Sequence, residues 1–143
     1  MRLAILFLIL VFLIDILGFY ISSYRIPAYD MILHFFGGFF VAMLFASFLL
    51  KNYPISTDKS RIMGRFSILV LTVLGLTVLV GVFWEFIEYI ATVYFKNYLA
   101  QKYAIICCIG NLDDTITDLA LDISGAIIFV LIYIKSFIKI TKH

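Results

Sequence analysis

The chain has 143 residues, of which 64% are hydrophobic and 14% charged, with a mean hydropathy of +1.12; soluble domains are roughly half apolar and a quarter charged. Eleven basic residues stand against nine acidic ones, too even a balance for a nucleic-acid-binding face. The solvent is lipid, nucleic acid is excluded as a partner, and the length allows a single transmembrane domain, 1–143.

A helix needs roughly 20 apolar residues to cross about 30 Å of hydrocarbon, and stretches of that length lie at 3–22, 31–50, 66–93 and 114–134. The expected fold is all-α, a polytopic membrane helical bundle of four transmembrane helices. The first stretch follows Met1-Arg2 as a signal peptide would, but it runs on past Asp15 with no small-residue cleavage site, so it is expected to stay as a span. Cytoplasmic connections collect Lys and Arg. Eight of the eleven basic residues are Arg2, then Lys51, Lys59, Arg61 and Arg65, then Lys135, Lys139 and Lys142. Both termini and the middle loop are therefore expected on the cytoplasmic side of the cell membrane. The 96–113 connection carries the apolar run Ala104 to Ile109, too short to span, and is expected to lie at the interface or dip back in, as a cover or as a gate. Its neighbours Cys107 and Cys108 close a ring badly and read as small apolar side chains, a thiol ligand pair being the alternative.

Counting 1.5 Å per residue from the basic end of each helix gives every acid a height. Asp15 and Asp122 fall at roughly 20 Å, His34 and Asp118 at roughly 26 Å, and Glu85, Asp30 and Asp114 at roughly 30 to 32 Å, with Glu88 at roughly 35 Å. All four helices thus place ionisable groups in the outer half, and only Asp58 of the nine acids lies elsewhere, in the middle loop. Asp30 and His34 are four apart and Glu85 and Glu88 three apart, spacings that share a helix face. Asn111, Asp114, Asp118, Asp122 and Gly125 form a stripe about 80° wide. Carboxylates facing lipid cost several kcal/mol each, so these faces must turn inward. Gly37, Gly38 and Gly81, one turn below His34 and Glu85, would let neighbouring backbones come close.

So many carboxylates cannot all be ionised in one small volume without compensation. Either several are protonated or cations sit among them. Oxygen ligands with one imidazole suit Mg²⁺, Mn²⁺, Fe²⁺ or Zn²⁺, and facing helices of bundles build such sites. The candidate ligands are His34, Glu85, Glu88, Asp114 and Asp118, with Asp30 orienting His34 and Asp15 and Asp122 extending the polar ladder. More ordinary roles compete: Asp113 and Asp114 as helix-start acids, Trp84, Tyr89 and Tyr94 as interface-belt aromatics, and the pairs Phe35-Phe36 and Phe39-Phe40 as lipid-facing or packing bulk.

The blocks Asp30-x-x-x-His34-x-x-x-Gly38-Phe39, Trp84-Glu85-x-x-Glu88-Tyr89 and Asp114-Thr115-x-x-Asp118 followed by Gly125-Ala126 resemble the YjdF-like family of bacterial inner-membrane proteins. The resemblance covers positions 30 to 126 and implies Asp30, His34, Glu85, Glu88, Asp114 and Asp118 as a shared polar signature, without naming a chemistry. Asp15 and Asp122 fall outside it. A looser likeness to VanZ-type proteins rests on an early Asp and His, a mid-chain Glu and a late Asp.

Three functions remain open. The first is a metal-dependent hydrolase or transferase acting at the outer leaflet on a phosphorylated or lipid-linked substrate, with His34 and Asp30 in catalytic roles. The second is a cation or proton transporter using the acidic ladder, to which an oligomer could supply a missing pathway. The third is a non-catalytic assembly or sensor protein. No nucleotide motif, serine elbow or zincin motif is present.

Overall fold

The computed structural model describes residues 1–21, 26–53, 59–103 and 112–141, with side chains at 1–18, 21, 26, 28–53, 64–94 and 112–134. Four helices follow in order: α1 (Arg2–Ile21), α2 (Pro27–Asn52), α3 (Lys59–Tyr103) and α4 (Leu112–Thr141). Among the described residues, three of them contain stretches long and apolar enough to cross a membrane, Ala28–Asn52, Gly64–Tyr94 and Leu112–Ile134.

Every helix but α1 outruns its apolar stretch, because the end of the apolar run marks where lipid stops and not where the helix stops. α2 begins four residues earlier than expected, at Pro27, whose fixed φ suits a first helical turn. This puts Asp30 inside that turn. α3 runs unbroken for 45 residues, about 68 Å at the helical rise and roughly twice the hydrocarbon thickness. The expectation that 96–113 forms an interfacial connection is therefore corrected for its first part: 96–103 continue α3, since no glycine or proline interrupts the chain after Gly81 before Gly110. The apolar run at 104–109, with Cys107 and Cys108, lies outside the described residues, as do Arg25 and Asp58.

α2 and α4 make the closest pairing, and glycines permit it. A methyl group at Gly38 would overlap the backbone carbonyl of Asp122, and one at Gly125 would overlap the carbonyl of Phe35. Small residues at a crossing let backbones touch where no hydrophobic effect drives helices together. Toward the basic ends, Ala42 and Ala46 of α2, Val73 of α3, and Ala126 and Val130 of α4 form a packed apolar core, flanked by Phe45, Leu49, Leu69, Leu74 and Phe129. α3 lies against both α2 and α4.

Among the described residues the α1 backbone approaches α2 alone. Two contacts pin it there. The Tyr29 hydroxyl donates to the carbonyl of Ile14, its ring lying over Gly18, where a methyl would collide with it. Phe7 stacks on Phe40 with ring centres 4.7 Å apart, so Phe40 packs between helices while Phe36 is largely exposed.

Three hydroxyls inside the apolar stretches are satisfied within their own helices, whereas Thr92 Oγ1 is buried with no hydrogen-bond partner among the described residues. Ser47 donates to Met43 O at 2.7 Å, Thr77 to Val73 O at 2.9 Å and Ser124 to Ala120 O at 2.7 Å. Backbone carbonyls one turn back are the partners available where water is absent.

Candidate metal centre

The polar residues that the helical spacings grouped do converge. Asp15, His34, Glu85, Glu88, Asp118 and Asp122 are all buried, Asp118 to 3% exposure and Glu85 to 6%. They come from all four helices, and His34 stands at their centre.

The two ring nitrogens of His34 have different surroundings. Nε2 faces three carboxylate oxygens at nearly equal distance: Asp30 Oδ1 at 3.8 Å, Glu85 Oε1 at 3.9 Å and Asp118 Oδ2 at 3.9 Å. These are beyond hydrogen-bond length, which for N–H···O is about 2.7–3.2 Å. Nδ1 faces one oxygen, Asp122 Oδ1, at 3.5 Å. A histidine whose Nδ1–H points at a carboxylate presents the lone pair of Nε2 to whatever lies on the other side.

The three-helix surround of Nε2 has the proportions of a coordination shell. Ligands held about 2.0–2.2 Å from a tetrahedral ion are separated from one another by about 3.4 Å, a few tenths less than the three distances at Nε2. Asp30, His34 and Asp118 each offer one donor atom, all within 4.8 Å of one another, and so do His34, Glu85 and Glu88. Among the described residues, both oxygens of Glu85 are buried with no hydrogen-bond partner. Glu88 is partnered: Trp84 Nε1 donates to its Oε1 at 3.1 Å, one turn along α3.

The backbone is shaped around Asp122. Gly38 lies against its main chain, a methyl at Gly81 would stand 2.5 Å from its Oδ2, and one at Gly37 would stand 3.9 Å from its Oδ1. Gly81 thus makes room for the Asp122 carboxylate and Gly38 for its main chain, while at Gly37 a methyl would be in ordinary contact.

Of the five residues expected as ligands, His34, Glu85, Glu88 and Asp118 lie in these groups. Asp114, half-buried in the first turn of α4, stands outside both. Asp30, expected to orient His34, shares the Nε2 side with Glu85 and Asp118. Asp122, expected only to extend the ladder, holds the orienting place at Nδ1. Asp113 is exposed in the first turn of α4, where an acid serves the helix dipole. Trp84, expected as a belt aromatic, also bonds to the site through Glu88. Its four-residue spacing to Glu88 was the available signal, but a tryptophan near a span's end ordinarily reads as an interface anchor.

A cavity of about 170 Å³ adjoins the cluster. Asp15, Asp30, His34 and Asp122 line it together with the apolar Leu8, Val11, Leu33, Val41 and Val80.

Comparison with known proteins agrees with this membrane architecture. The family described as "Predicted membrane protein (DUF2238)" matches residues 1–138, and the chain belongs to it. An uncharacterized protein of Thermotoga maritima is 34% identical over 116 residues, covering 80% of this chain and 53% of the relative. The chain thus spans about half the length of that relative. No solved structure matches. The likeness to VanZ-type proteins gains no support from these comparisons, while a YjdF-like kinship is compatible with the family.

Proposed function

We propose that the protein binds a divalent metal ion, Mg²⁺, Mn²⁺, Fe²⁺ or Zn²⁺, between α2, α3 and α4. It would use that ion as a hydrolase or transferase on a phosphorylated or lipid-linked substrate at the extracytoplasmic face. The observation that carries this reading is the Glu85 carboxylate, buried and 3.9 Å from a histidine nitrogen that two further carboxylates also face. Neither of its oxygens is in hydrogen-bond geometry with a described residue, the Thr115 hydroxyl standing near it without completing that bond. A buried carboxylate without a donor costs several kcal/mol, and a cation among these oxygens removes that cost. His34, Glu85, Glu88, Asp118 and Asp30 would hold the ion, and Asp122 would fix the imidazole through Nδ1. Such an ion supplies Lewis-acid polarisation of a phosphoryl oxygen and a more acidic bound water.

In this reading α1 is a fourth span, since only Arg2 and Asp15 of its 20 residues are charged, and both termini are cytoplasmic by the distribution of Lys and Arg. The kinship is YjdF-like, and the lipid bilayer is the protein's immediate partner. The reaction is tested by phosphate release from alkyl and prenyl phosphates in detergent. Metal-dependent turnover lost in Asp118→Asn is expected, and no turnover on any such substrate with metal bound would remove the enzyme reading.

A cation or proton path is the competing function. It is disfavoured by the apolar core of Ala42, Ala46, Val73, Ala126 and Val130, which leaves no carboxylate below Asp15 and Asp122 among the described residues. Proteoliposomes under a cation or proton gradient are expected to show no flux above protein-free vesicles.

A further inference from the structure

The cavity beside the acidic cluster is lined from α1 and α3 by Phe12 and Val80, both exposed, and the backbones of these two helices do not meet. Among the described residues α1 packs on α2 and α3 packs on α2 and α4, with no backbone approach between α1 and α3. Side chains bridge the gap: Phe12 of α1 meets Trp84 of α3 edge to face, with ring centres 6.3 Å apart. Both rings line the cavity. The same indole donates to Glu88, so the ring that bridges α1 and α3 is tied directly to the site.

Inside, the lining changes from charged to apolar. Asp15, Asp30, His34 and Asp122 all line it, and Leu8, Val11, Val41 and Val80 line it about one to two turns farther along α1, α2 and α3 toward their basic ends. Thr77 also lines it, but its hydroxyl is already bonded to Val73 O at 2.9 Å, so it offers no donor to an occupant. Cavities of about 150 Å³ with purely apolar walls stay dry and take up small hydrocarbons, whereas polar walls hold water. It is therefore the apolar part of this cavity that suits a hydrocarbon. The medium that exposed side chains of a spanning bundle meet is itself hydrocarbon.

We infer that the cavity between α1 and α3 receives the first segment of the alkyl chain of a phosphorylated membrane amphiphile, which enters sideways from the bilayer past Phe12 and Trp84 and sets its head against the acidic cluster. This rests on the metal reading for the head group and on the cavity alone for the chain. The arrangement follows the polarity of such a molecule: a phosphate needs the cation held by Glu85, Asp118 and His34, and the chain next to it needs a dry wall. Free phosphate shares the head-group chemistry but lacks anything to fill the apolar part.

Trp84 is the chain's one tryptophan, so its fluorescence reports on this edge of the cavity. Protein in nanodiscs of unbrominated phospholipid, loaded with Mn-free divalent metal, is titrated with a dibrominated alkyl phosphate. Saturable quenching is expected, reversed by the unbrominated alkyl phosphate and not by inorganic phosphate. Val11→Phe and Val80→Phe, which fill the cavity from opposite walls, should each weaken it by about tenfold, the loss of roughly two buried methylenes. Leu79→Phe, at a half-exposed position outside the lining, should leave it unchanged. Quenching that rises linearly with probe content, or affinity unchanged in both filled variants, would overturn the inference. Metal binding with linear quenching removes the chain site and leaves the metal reading intact. Saturable, cavity-dependent quenching in protein that binds no metal keeps the chain site and removes the metal reading.

Discussion

Nδ1 of His34 lies 3.5 Å from Oδ1 of Asp122, and the backbone of α2 and α3 is cut back to glycine at the points nearest that aspartate. The pair joins the two most closely packed helices at their crossing. A carboxylate behind a metal-binding imidazole fixes its tautomer and raises its basicity, and its removal costs about 10–100-fold in affinity. Asp122→Asn is therefore expected to weaken metal binding by that factor while leaving the fold intact, as measured by competition with a chromophoric chelator. Unchanged affinity would mean that Asp122 does not orient His34.

Glu85 should show opposite effects in the two states of the protein. A buried group with no hydrogen-bond partner costs about 1–3 kcal/mol, and more when charged. Glu85→Gln is expected to raise the thermal midpoint of metal-free protein and to abolish the further gain on adding metal. Binding at a hundred times Kd adds about 2.7 kcal/mol, so the gain in wild type is large enough to read in a detergent melt.

The helix crossing should tolerate no side chain. At Gly38 and Gly125 an added methyl meets main chain, not a movable side-chain end. Gly38→Ala and Gly125→Ala are expected to destabilise the bundle by about 1–3 kcal/mol, the usual cost of overpacking. Gly75→Ala, with nothing within 4 Å of the new methyl, should be neutral or slightly stabilising in the same melt, because alanine is the better helix former.

Much of this was legible in the sequence because a helix is a ruler. Counting from the basic ends put Asp30, His34, Glu85 and Asp118 at heights of about 26 to 32 Å, little more than one helical turn, and they are gathered round one imidazole nitrogen. The inward stripe on α4 and the glycines beside His34 and Glu85 were readable on the same grounds. Counting gives height but not azimuth between helices. It left Asp122 about 6 Å below His34 by the helical rise, whereas helix crossing and side-chain reach bring the two together. Asp114 had the right height and spacing yet stands apart from the convergent groups. The ends of α3 were hidden for another reason: Lys96 and Lys102 end a lipid-compatible run without ending a helix.

Trp84 offers a check on the link between cavity and site. Trp84→Phe keeps a ring for Phe12 to meet but removes the donor to Glu88 Oε1. A hydrogen bond to a charged group is worth about 1.5–3 kcal/mol, so metal affinity should fall by about tenfold or more. An affinity equal to wild type would make the indole a spectator.

The most direct measurement is elemental analysis of the detergent-purified protein, prepared without chelator or histidine tag, beside Glu85→Gln and Asp118→Asn. Stoichiometric divalent metal in the wild type, lost from both variants while their helical content stays the same, is the expected result. Well-folded wild type carrying no metal, and taking up none when it is supplied, would contradict a metal centre around His34.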